Sequence, residues 1–508
     1  MKKFYIILIE IILLQLISYA QQEYDRDVSR PKELFENQNG ANYKRTSSSY
    51  LDSIITQYMI SEHIPGATGL IFKKDGEIIW SANFGYKNLE NQLPVEDSTL
   101  FLMASVSKTF AATAIMQLWE NGLIDLDESI NNYLPAGFTV VNPYKPNDTI
   151  TVKMLMLHTS SLRDNWSILW PLWGCGDYPE PVDSFLINYF TPGGSHYSSG
   201  NFYYYSPGST WNYSNSGSCL LGLIVQNITG KNFDEYVKDS ILTPLSMNNS
   251  SWFLEGMDTS KIATPYTGNP PQALCHVGMA FWPIGQLRTS KSELFNFASA
   301  YLNDGIYNNQ RILDSSTVAY ILSYHGVYTP WGIQGLIWGK DSDVYSNIWG
   351  HSGTFVGTET GMYICIDEDW GILFFINCGT DPNYSPGFYP IVHQLAIYAH
   401  NTLTDVEDEI FEPIAFRLYQ NFPNPFNPNT KIKYSIPQSS QVVIKVFDVL
   451  GNEIETLINE EKPAGTYELT WNAANLPSGV YFYQLRAVDP STGSEQVFVQ
   501  TKKIFLLK

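Results

Sequence analysis

Three short motifs run in one order along the 508-residue chain: Ser105-Val106-Ser107-Lys108, Tyr213-Ser214-Asn215 and His351-Ser352-Gly353. Their residue types suit acyl transfer by a serine that has no Ser-His-Asp triad. A serine hydroxyl becomes a useful nucleophile only when a neighbouring base takes its proton. On a helix, residues three apart share a face, which sets Lys108 beside Ser105. A lysine acts as a base only when uncharged; its ordinary pKa is about 10.4, and burial or a nearby cation lowers it. A tyrosine hydroxyl can share the proton work, so the chemistry requires Tyr213 and His351 to close on the Ser-Lys pair. At a helix start the backbone N–H of Ser105 is also free to serve an oxyanion hole.

Each motif has decoys, and context chooses among them. Ser29-Arg30-Pro31-Lys32 repeats Ser-x-x-Lys in a polar stretch with a proline. Tyr301-Leu302-Asn303, Tyr307-Asn308-Asn309 and Tyr345-Ser346-Asn347 repeat Tyr-x-Asn, and His276-Val277-Gly278 repeats His-x-Gly. The favoured copies open a strong helical pattern (Ser105), precede an apolar helix (Asn215) or lie just ahead of strands (His351). A competing reading is the Gly-x-Ser-x-Gly elbow of α/β-hydrolases, nearly matched by Gly350-His351-Ser352-Gly353-Thr354, with Ser352 as nucleophile. An elbow leads into a helix, whereas the residues that follow are strand-like.

The elements that must position these residues are legible in outline. Leu51, Ile54, Ile55, Tyr58 and Met59 recur at helical spacing. Apolar runs at Ala67–Phe72 and Glu77–Ser81 flank Lys74-Asp75-Gly76, a hairpin signal. Residues 105–121 and 215–225 read as helices, 360–377 as two alternating strands around Asp367-Glu368-Asp369, and 393–398 as a closing helix. Residues 164–211, rich in aromatics, Gly, Pro and Ser, read as long loops over a site. They offer Trp170, Trp173, Tyr178 and Tyr203-Tyr204-Tyr205 either as an aromatic wall for an apolar acyl group or sugar, or as loop packing.

Bulk properties bound the rest. A net charge of −20 argues against nucleic acid, whose phosphates need a basic footprint. The acidic excess lies upstream, because from Phe416 onward 9 Lys+Arg meet 8 Asp+Glu. Met1-Lys2-Lys3, the apolar run Phe4–Ile17 and Ser18-Tyr19-Ala20 read as a signal peptide over residues 1–20. No Cys follows that site, which speaks against a lipid anchor, and no later segment is apolar for long enough to span a bilayer. Residues 21–48 read as a flexible leader and 403–415 as an acidic linker. Cys175, Cys219, Cys275, Cys365 and Cys378 show neither metal-ligand spacing nor a disulfide framework, though one bridge stays open. Neither a metal nor another cofactor is expected. Beyond residue 416, strand-like runs at Val442–Phe447, Thr466–Trp471, Val480–Leu485 and Gln496–Leu507 are separated by Gly-containing turns. That pattern predicts a small β-sandwich.

Taken together, residues 49–402 resemble the serine β-lactamase-like hydrolases, which include class C β-lactamases, penicillin-binding D,D-peptidases, D-aminopeptidases and esterases. The likeness rests on Phe101–Phe110 around Ser105 and on Leu157-His158-Thr159-Ser160-Ser161-Leu162, where Ser161 replaces the family's Gly. It rests also on Pro244-Leu245-Ser246-Met247, where Ser246 replaces Gly, and on Gly350-His351-Ser352-Gly353. The resemblance implies an α+β fold, with an antiparallel sheet flanked by helices and a helical subdomain. It implies that Ser105 is acylated, that Lys108 and Tyr213 act as base and proton relay, and that Asn215 bonds Lys108 or the substrate amide. The N–H groups of Ser105 and Thr354 would form the oxyanion hole, Ser352 and Gly353 would line the substrate, and His158 would fix a loop. His351 stands where β-lactamases carry a lysine, which implies a peptidase or esterase with weak or no β-lactamase activity. A non-catalytic relative that binds peptidoglycan or a partner is the alternative.

The tail resembles the C-terminal sorting domain of type IX secretion, an immunoglobulin-like sandwich spanning residues 416–508. The likeness rests on residues 416–428, rich in Asn-Pro, on Ser478-Gly479-Val480-Tyr481 and on Lys502-Lys503-Ile504. It implies contact with the secretion machinery and a secreted or cell-surface protein exported across both membranes. The expected substrate is a small molecule or peptide, with cell-wall fragments among the candidates.

Overall fold

The computed structural model describes residues 48–330, 332–341, 348–379 and 387–403. Toward the C-terminus it describes 417–418, 421, 426–436, 439–463, 465–488 and 497–506. The expected signal peptide, nearly all of the leader and nearly all of the acidic linker lie outside the described residues. The chain divides into two compact units, with the boundary between Thr404 and Asp405.

The larger unit is built on an antiparallel sheet. Its long strands are β1 (Gly66–Lys73), β2 (Ile78–Asn88), β3 (Ile348–Phe355), β4 (Thr358–Cys365) and β5 (Trp370–Ile376), in the order β3-β4-β5-β1-β2. Short strands extend it on both sides, Gly339–Asp341, Gly332–Gln334 and Tyr328–Thr329 beyond β3 and Leu93–Pro94 beyond β2. The early and late segments of this unit meet in the sheet, since β1 pairs with both β2 and β5. The hairpin around Lys74-Asp75-Gly76 forms as expected. β4 and β5 do not show the expected alternation: every residue in both is buried. Helices cover them on both faces, and a strand so enclosed has no solvent side to mark with polar residues.

Five longer helices matter here: α1 (Ser48–Ser61), α2 (Ser107–Glu120), α3 (Asn215–Thr229), α4 (Lys291–Leu302) and α5 (Tyr389–Leu403). α4 and α5 both pack on β5, and α2 packs on α3. Phe110, Ala111, Ala112, Ala114, Ile115, Met116 and Leu118 are all buried, so α2 is apolar nearly all round and lies inside the core. α3 buries every residue from Asn215 to Val225 and ends on Gly230 in the left-handed region (φ 69°).

Residues 164–211 correct the expectation of loops. They contain the helices Trp166–Leu169 and Val182–Phe190, the second of which buries Val182, Phe185, Leu186, Tyr189 and Phe190. A short strand, Trp173–Cys175, pairs with Val277–Met279. The cysteines are also less scattered than they read, because Cys175 and Cys275 form a disulfide across a sequence separation of 100. Spacing could not reveal a bridge whose partners meet only through that strand pair. Cys219, Cys365 and Cys378 are buried thiols.

The smaller unit consists of β6 (Asn429–Ile436), β7 (Ser440–Phe447), β8 (Glu453–Lys462), β9 (Gly465–Asn472), β10 (Gly479–Val488) and β11 (Val497–Leu506). They form two antiparallel sheets, Arg417–Leu418 with β6 and β9, and β8-β7-β10-β11. Ile432, Tyr434 and Trp471 from the first sheet share one buried cluster with Val442, Ile444, Tyr483 and Leu485 from the second. β7 alternates buried and partly or fully exposed residues throughout, as its sequence predicts. β6 and β8 went unread; Ile432, Tyr434 and Ile436 alternating with Lys431, Lys433 and Ser435 was the signal for β6.

Candidate active site

Ser105 stands on a turn that several strands hold from behind. The segment Leu100–Leu102 pairs with Arg288–Ser290, and the Met103 N–H donates to Leu287 O at 2.8 Å. Two threonines of β4 secure the same stretch: Thr358 Oγ1 donates to Leu102 O (2.9 Å) and Thr360 Oγ1 to Met103 O (2.8 Å). Ala104 then adopts a left-handed backbone (φ 45°), unusual for a residue with a Cβ. Such a conformation persists only where its surroundings over-determine it. The chain turns through a 3₁₀ segment, Ala104–Val106, into α2, and Ser105 is left half-buried.

One turn on, Lys108 is fully buried. Its Nζ lies 2.9 Å from Ser105 Oγ, 2.7 Å from Asn215 Oδ1 and 3.3 Å from Ile284 O. Burial pushes its pKa from 10.5 down to about 7, against a smaller upward pull from Asp164. A neutral amine has two hydrogens and one lone pair. The two carbonyl oxygens can only accept, so they take the two hydrogens. The lone pair is then left for the one neighbour able to donate, the Ser105 hydroxyl.

Tyr213 and His351 close the group. Lys108 Nζ lies 5.0 Å from the centre of the Tyr213 ring, and the Tyr213 and His351 rings are 6.2 Å apart. His351 Nδ1 lies 2.5 Å from Ser352 O, so that nitrogen carries the proton and Nε2 the lone pair. Burial, reinforced by Lys108, pushes the His351 pKa down to about 3, and the ring is neutral at physiological pH. His158 is buried too, in a left-handed backbone (φ 55°). Its Nδ1 accepts from the Ser214 N–H (3.3 Å), and its ring lies 4.4 Å from that of Tyr213. It thus fixes the loop that carries Tyr213. Burial holds its pKa well below 6.5.

β3 supplies the remaining candidates. Its partner strand on the outer side reaches only Gly350, so among the described residues 351–355 have a strand neighbour on one side only. The same stretch packs against the Ser105 turn: a Cβ added to Gly353 would lie 3.0 Å from Ser105 N and 2.2 Å from Met103 O. Glycine is therefore required at 353 by close approach. Ser352 is half-buried and Thr354 exposed on the same strand. This geometry overturns the nucleophile elbow at Ser352. That residue lies in mid-strand, and β3 leads through a tight turn into β4, not into a helix.

The decoys fall elsewhere. Tyr301 is buried and shares a hydrogen bond with Thr113 Oγ1, Tyr307 lies in a surface hairpin, and His276 flanks the Cys275 disulfide. The copies at 29–32 and 345–347 lie outside the described residues. Trp166, Trp170, Trp173 and Phe355 form a row of edge-to-face rings, with centres 6.5, 5.9 and 5.8 Å apart, which ends on β3. All four are partly exposed.

Sequence reasoning missed Asp164. Its Oδ2 accepts from Asn215 N (2.8 Å) and Asn215 Nδ2 (2.9 Å), and its Oδ1 from Ser216 N and Ser216 Oγ (both 2.8 Å). A carboxylate capping a helix from 51 residues upstream leaves no local signature.

Comparison with known proteins identifies the fold and the two families represented in the chain. Residues 51–389 match the model of the beta-lactamase family, and residues 420–500 match a secretion system C-terminal sorting domain. Penicillin-binding protein 4* of Bacillus subtilis is 25% identical over 326 residues, 61% of this chain and 67% of that one. Protein flp of Staphylococcus aureus is 29% identical over 206 residues, 41% of this chain, and the match spans only 38% of that relative. Among solved structures, the octameric penicillin-binding protein homologue from Pyrococcus abyssi superposes with a TM-score of 0.56 at 19% identity. That match covers 91% of this chain and 98% of the other. EstCE1, a hydrolase with promiscuous acyltransferase activity, gives 0.55 at 17% identity, covering 69% of this chain and 98% of that one. At these identities the superpositions establish the fold. The sorting match marks the protein as secreted or surface-displayed, and among the described residues no helix is long and apolar enough to cross a membrane. The chain belongs to the beta-lactamase family, a family of serine hydrolases, and carries a secretion-system sorting domain at its C-terminal end.

Proposed function

We propose that the protein hydrolyses an ester or amide through an acyl-enzyme on Ser105. The observation that carries this reading is the buried Lys108 amine, 2.9 Å from the Ser105 hydroxyl with its pKa brought down to about 7. In the neutral state Lys108 takes the Ser105 proton as the oxygen attacks the substrate carbonyl. Tyr213, stacked beside the amine, relays that proton to the leaving group. The N–H groups of Ser105 and Thr354 hold the oxyanion, with Ser352 and Gly353 lining the substrate. Water then attacks the acyl-enzyme and gives its proton to the same base; the acyl C–Oγ bond breaks, the acid leaves, and Lys108 returns the proton to Ser105 Oγ.

A neutral His351 offers no fixed cation for a substrate carboxylate, and Lys108 is committed to three internal contacts. The reading is therefore an esterase or a peptidase of D-amino-acid compounds, with weak or no turnover of β-lactams. The relatives named as hydrolase and penicillin-binding protein fit this class.

Residues 49–402 form the hydrolase domain in this reading, and 416–508 an immunoglobulin-like sandwich that engages the type IX machinery after a cleaved signal peptide at 1–20. Labelling with a fluorophosphonate should place the adduct on Ser105 and vanish in Ser105→Ala while the circular dichroism spectrum is unchanged. An adduct on another serine would remove Ser105 from its role. No adduct at all would favour a binding protein. Deleting residues 416–508 should trap the enzyme in the periplasm.

A further inference from the structure

We propose that Asp164 is a positioning residue that orients the general base, by fixing which end of the Asn215 amide faces Lys108. The inference rests on the acyl-enzyme reading above. An asparagine side chain presents an acceptor at one end and donors at the other, and the choice between them is set by its partners. Asp164 Oδ2 accepts from both Asn215 N and Asn215 Nδ2, so the amide nitrogen is held toward the carboxylate. The carbonyl Oδ1 must then face Lys108 Nζ, 2.7 Å away. That carbonyl and Ile284 O consume the two amine hydrogens, and the lone pair is delivered to Ser105. A flipped amide would present N–H groups to Lys108 and turn its lone pair away from the hydroxyl.

The second carboxylate oxygen holds the start of α3 in place, through Ser216 N and Ser216 Oγ. Asp164 therefore fixes both the backbone and the side chain of Asn215. Its charge also reaches Lys108, and it is the one carboxylate among the causes that hold the amine's pKa up against burial. The other titratable groups facing Lys108 carry no charge near neutrality. His351 and His158 are held neutral, and the buried Cys219 thiol on α3 is pushed up, which leaves Ser105 and the Tyr213 ring. Asp164 stays one amide away from the amine, close enough to orient the base without forming an ion pair with it.

The test uses the full chain and the rate of single-turnover labelling by a fluorophosphonate between pH 5 and 9. In Asp164→Asn the rate should fall by about 30-fold or more, because misorienting the base forfeits part of a general-base contribution of roughly 10²–10⁴. Its acidic limb should also move to lower pH, since removing a negative charge makes Lys108 easier to deprotonate. Asp164→Glu keeps the charge and displaces it, so the limb should stay in place while the rate drops about tenfold. Ser216→Ala removes a bond to the same carboxylate but spares Asn215. It should lower the melting temperature yet keep the wild-type limb and a rate within about threefold.

A wild-type rate and limb in Asp164→Asn would overturn the proposal, as would a Ser216→Ala profile that copies Asp164→Asn. If Asp164→Asn does not fold, wild-type labelling by Asp164→Glu overturns it. Wild-type enzyme that never labels at Ser105 overturns the acyl-enzyme reading itself, and this inference with it.

Discussion

The larger unit buries two lysines in the first turns of two helices, and they have opposite fates. Lys108 is the second residue of α2 and Lys291 the first of α4. Both amines are out of solvent, and burial pulls both pKa values down. Lys291 Nζ, however, lies 2.8 Å from Asp97 Oδ1, with Ser81 Oγ at 2.8 Å and Asn83 Oδ1 at 3.0 Å. The carboxylate pulls that amine back toward its cationic form, and the cation in turn holds the Asp97 carboxyl below its usual range. Lys291 clips α4 to β2. Lys108 has its nearest carboxylate behind an amide and falls to about 7. Burial alone does not make a base; what decides is whether a carboxylate touches the amine or stands one residue back.

The sharpest way to break this comparison is to remove each amine in turn. Lys108→Met should slow acylation by on the order of 10³-fold, whereas Lys291→Met should leave the acylation rate within about threefold and cost about 1–2 kcal/mol of stability. Equal losses of activity would erase the distinction.

A smaller effect follows from pH. Acylation needs neutral Lys108, so its rate should climb with pH and level off above about 7, rising roughly tenfold per unit on the acidic side. His351, down at about 3, should add no limb above pH 5. A plateau reached only near pH 10 would mean that Lys108 keeps an ordinary pKa.

The same shift predicts a stability effect with a definite sign. The unfolded chain holds the Lys108 proton up to about 10.5, and the folded chain releases it near 7. The unfolded state therefore binds more protons in that window, and the site's contribution to stability rises with pH. Lys108→Met should be more stable than wild type at pH 7, by roughly 4–5 kcal/mol at most. That gap should shrink as pH approaches 10; chemical denaturation at both pH values checks it, and a gap that widens would contradict the argument.

The smallest change is the most direct conversion of one lysine into the other. Asp97→Asn should lower the Lys291 pKa, visible in the titration of its ε-carbon by NMR, while costing about 1 kcal/mol, because the Asp97 side chain is largely exposed. An unmoved Lys291 would show that Ser81 and Asn83 suffice to keep it charged.

Much of this architecture can be read from the chain, and the failures have physical causes. α2 is visible because its apolar residues recur at helical spacing, and β7 because Val442, Ile444 and Val446 alternate with solvent-facing neighbours. β4 and β5 resisted the expected alternation because both of their faces are covered. Residues 164–211 looked like loops because aromatics mixed with Gly and Pro mask the helix Val182–Phe190, whose burial comes from packing and not from propensity. The Cys175–Cys275 bridge joins residues brought together by a strand pair that local pattern does not reveal.

By itself the sequence determined which chemistry was on offer. Ser105 and Lys108 are three residues apart at a helix start, and local geometry alone sets them side by side. It also determined that His351 would be a titratable ring and not a fixed cation. Only the tertiary structure decided that Lys108 is buried, that Asn215 arrives 107 residues later to take one of its hydrogens, and that Asp164 holds the amide's other end. Covalent spacing encodes neighbours within a turn of helix. A pKa depends on what surrounds the group in every direction, and that surrounding exists only once distant segments have packed.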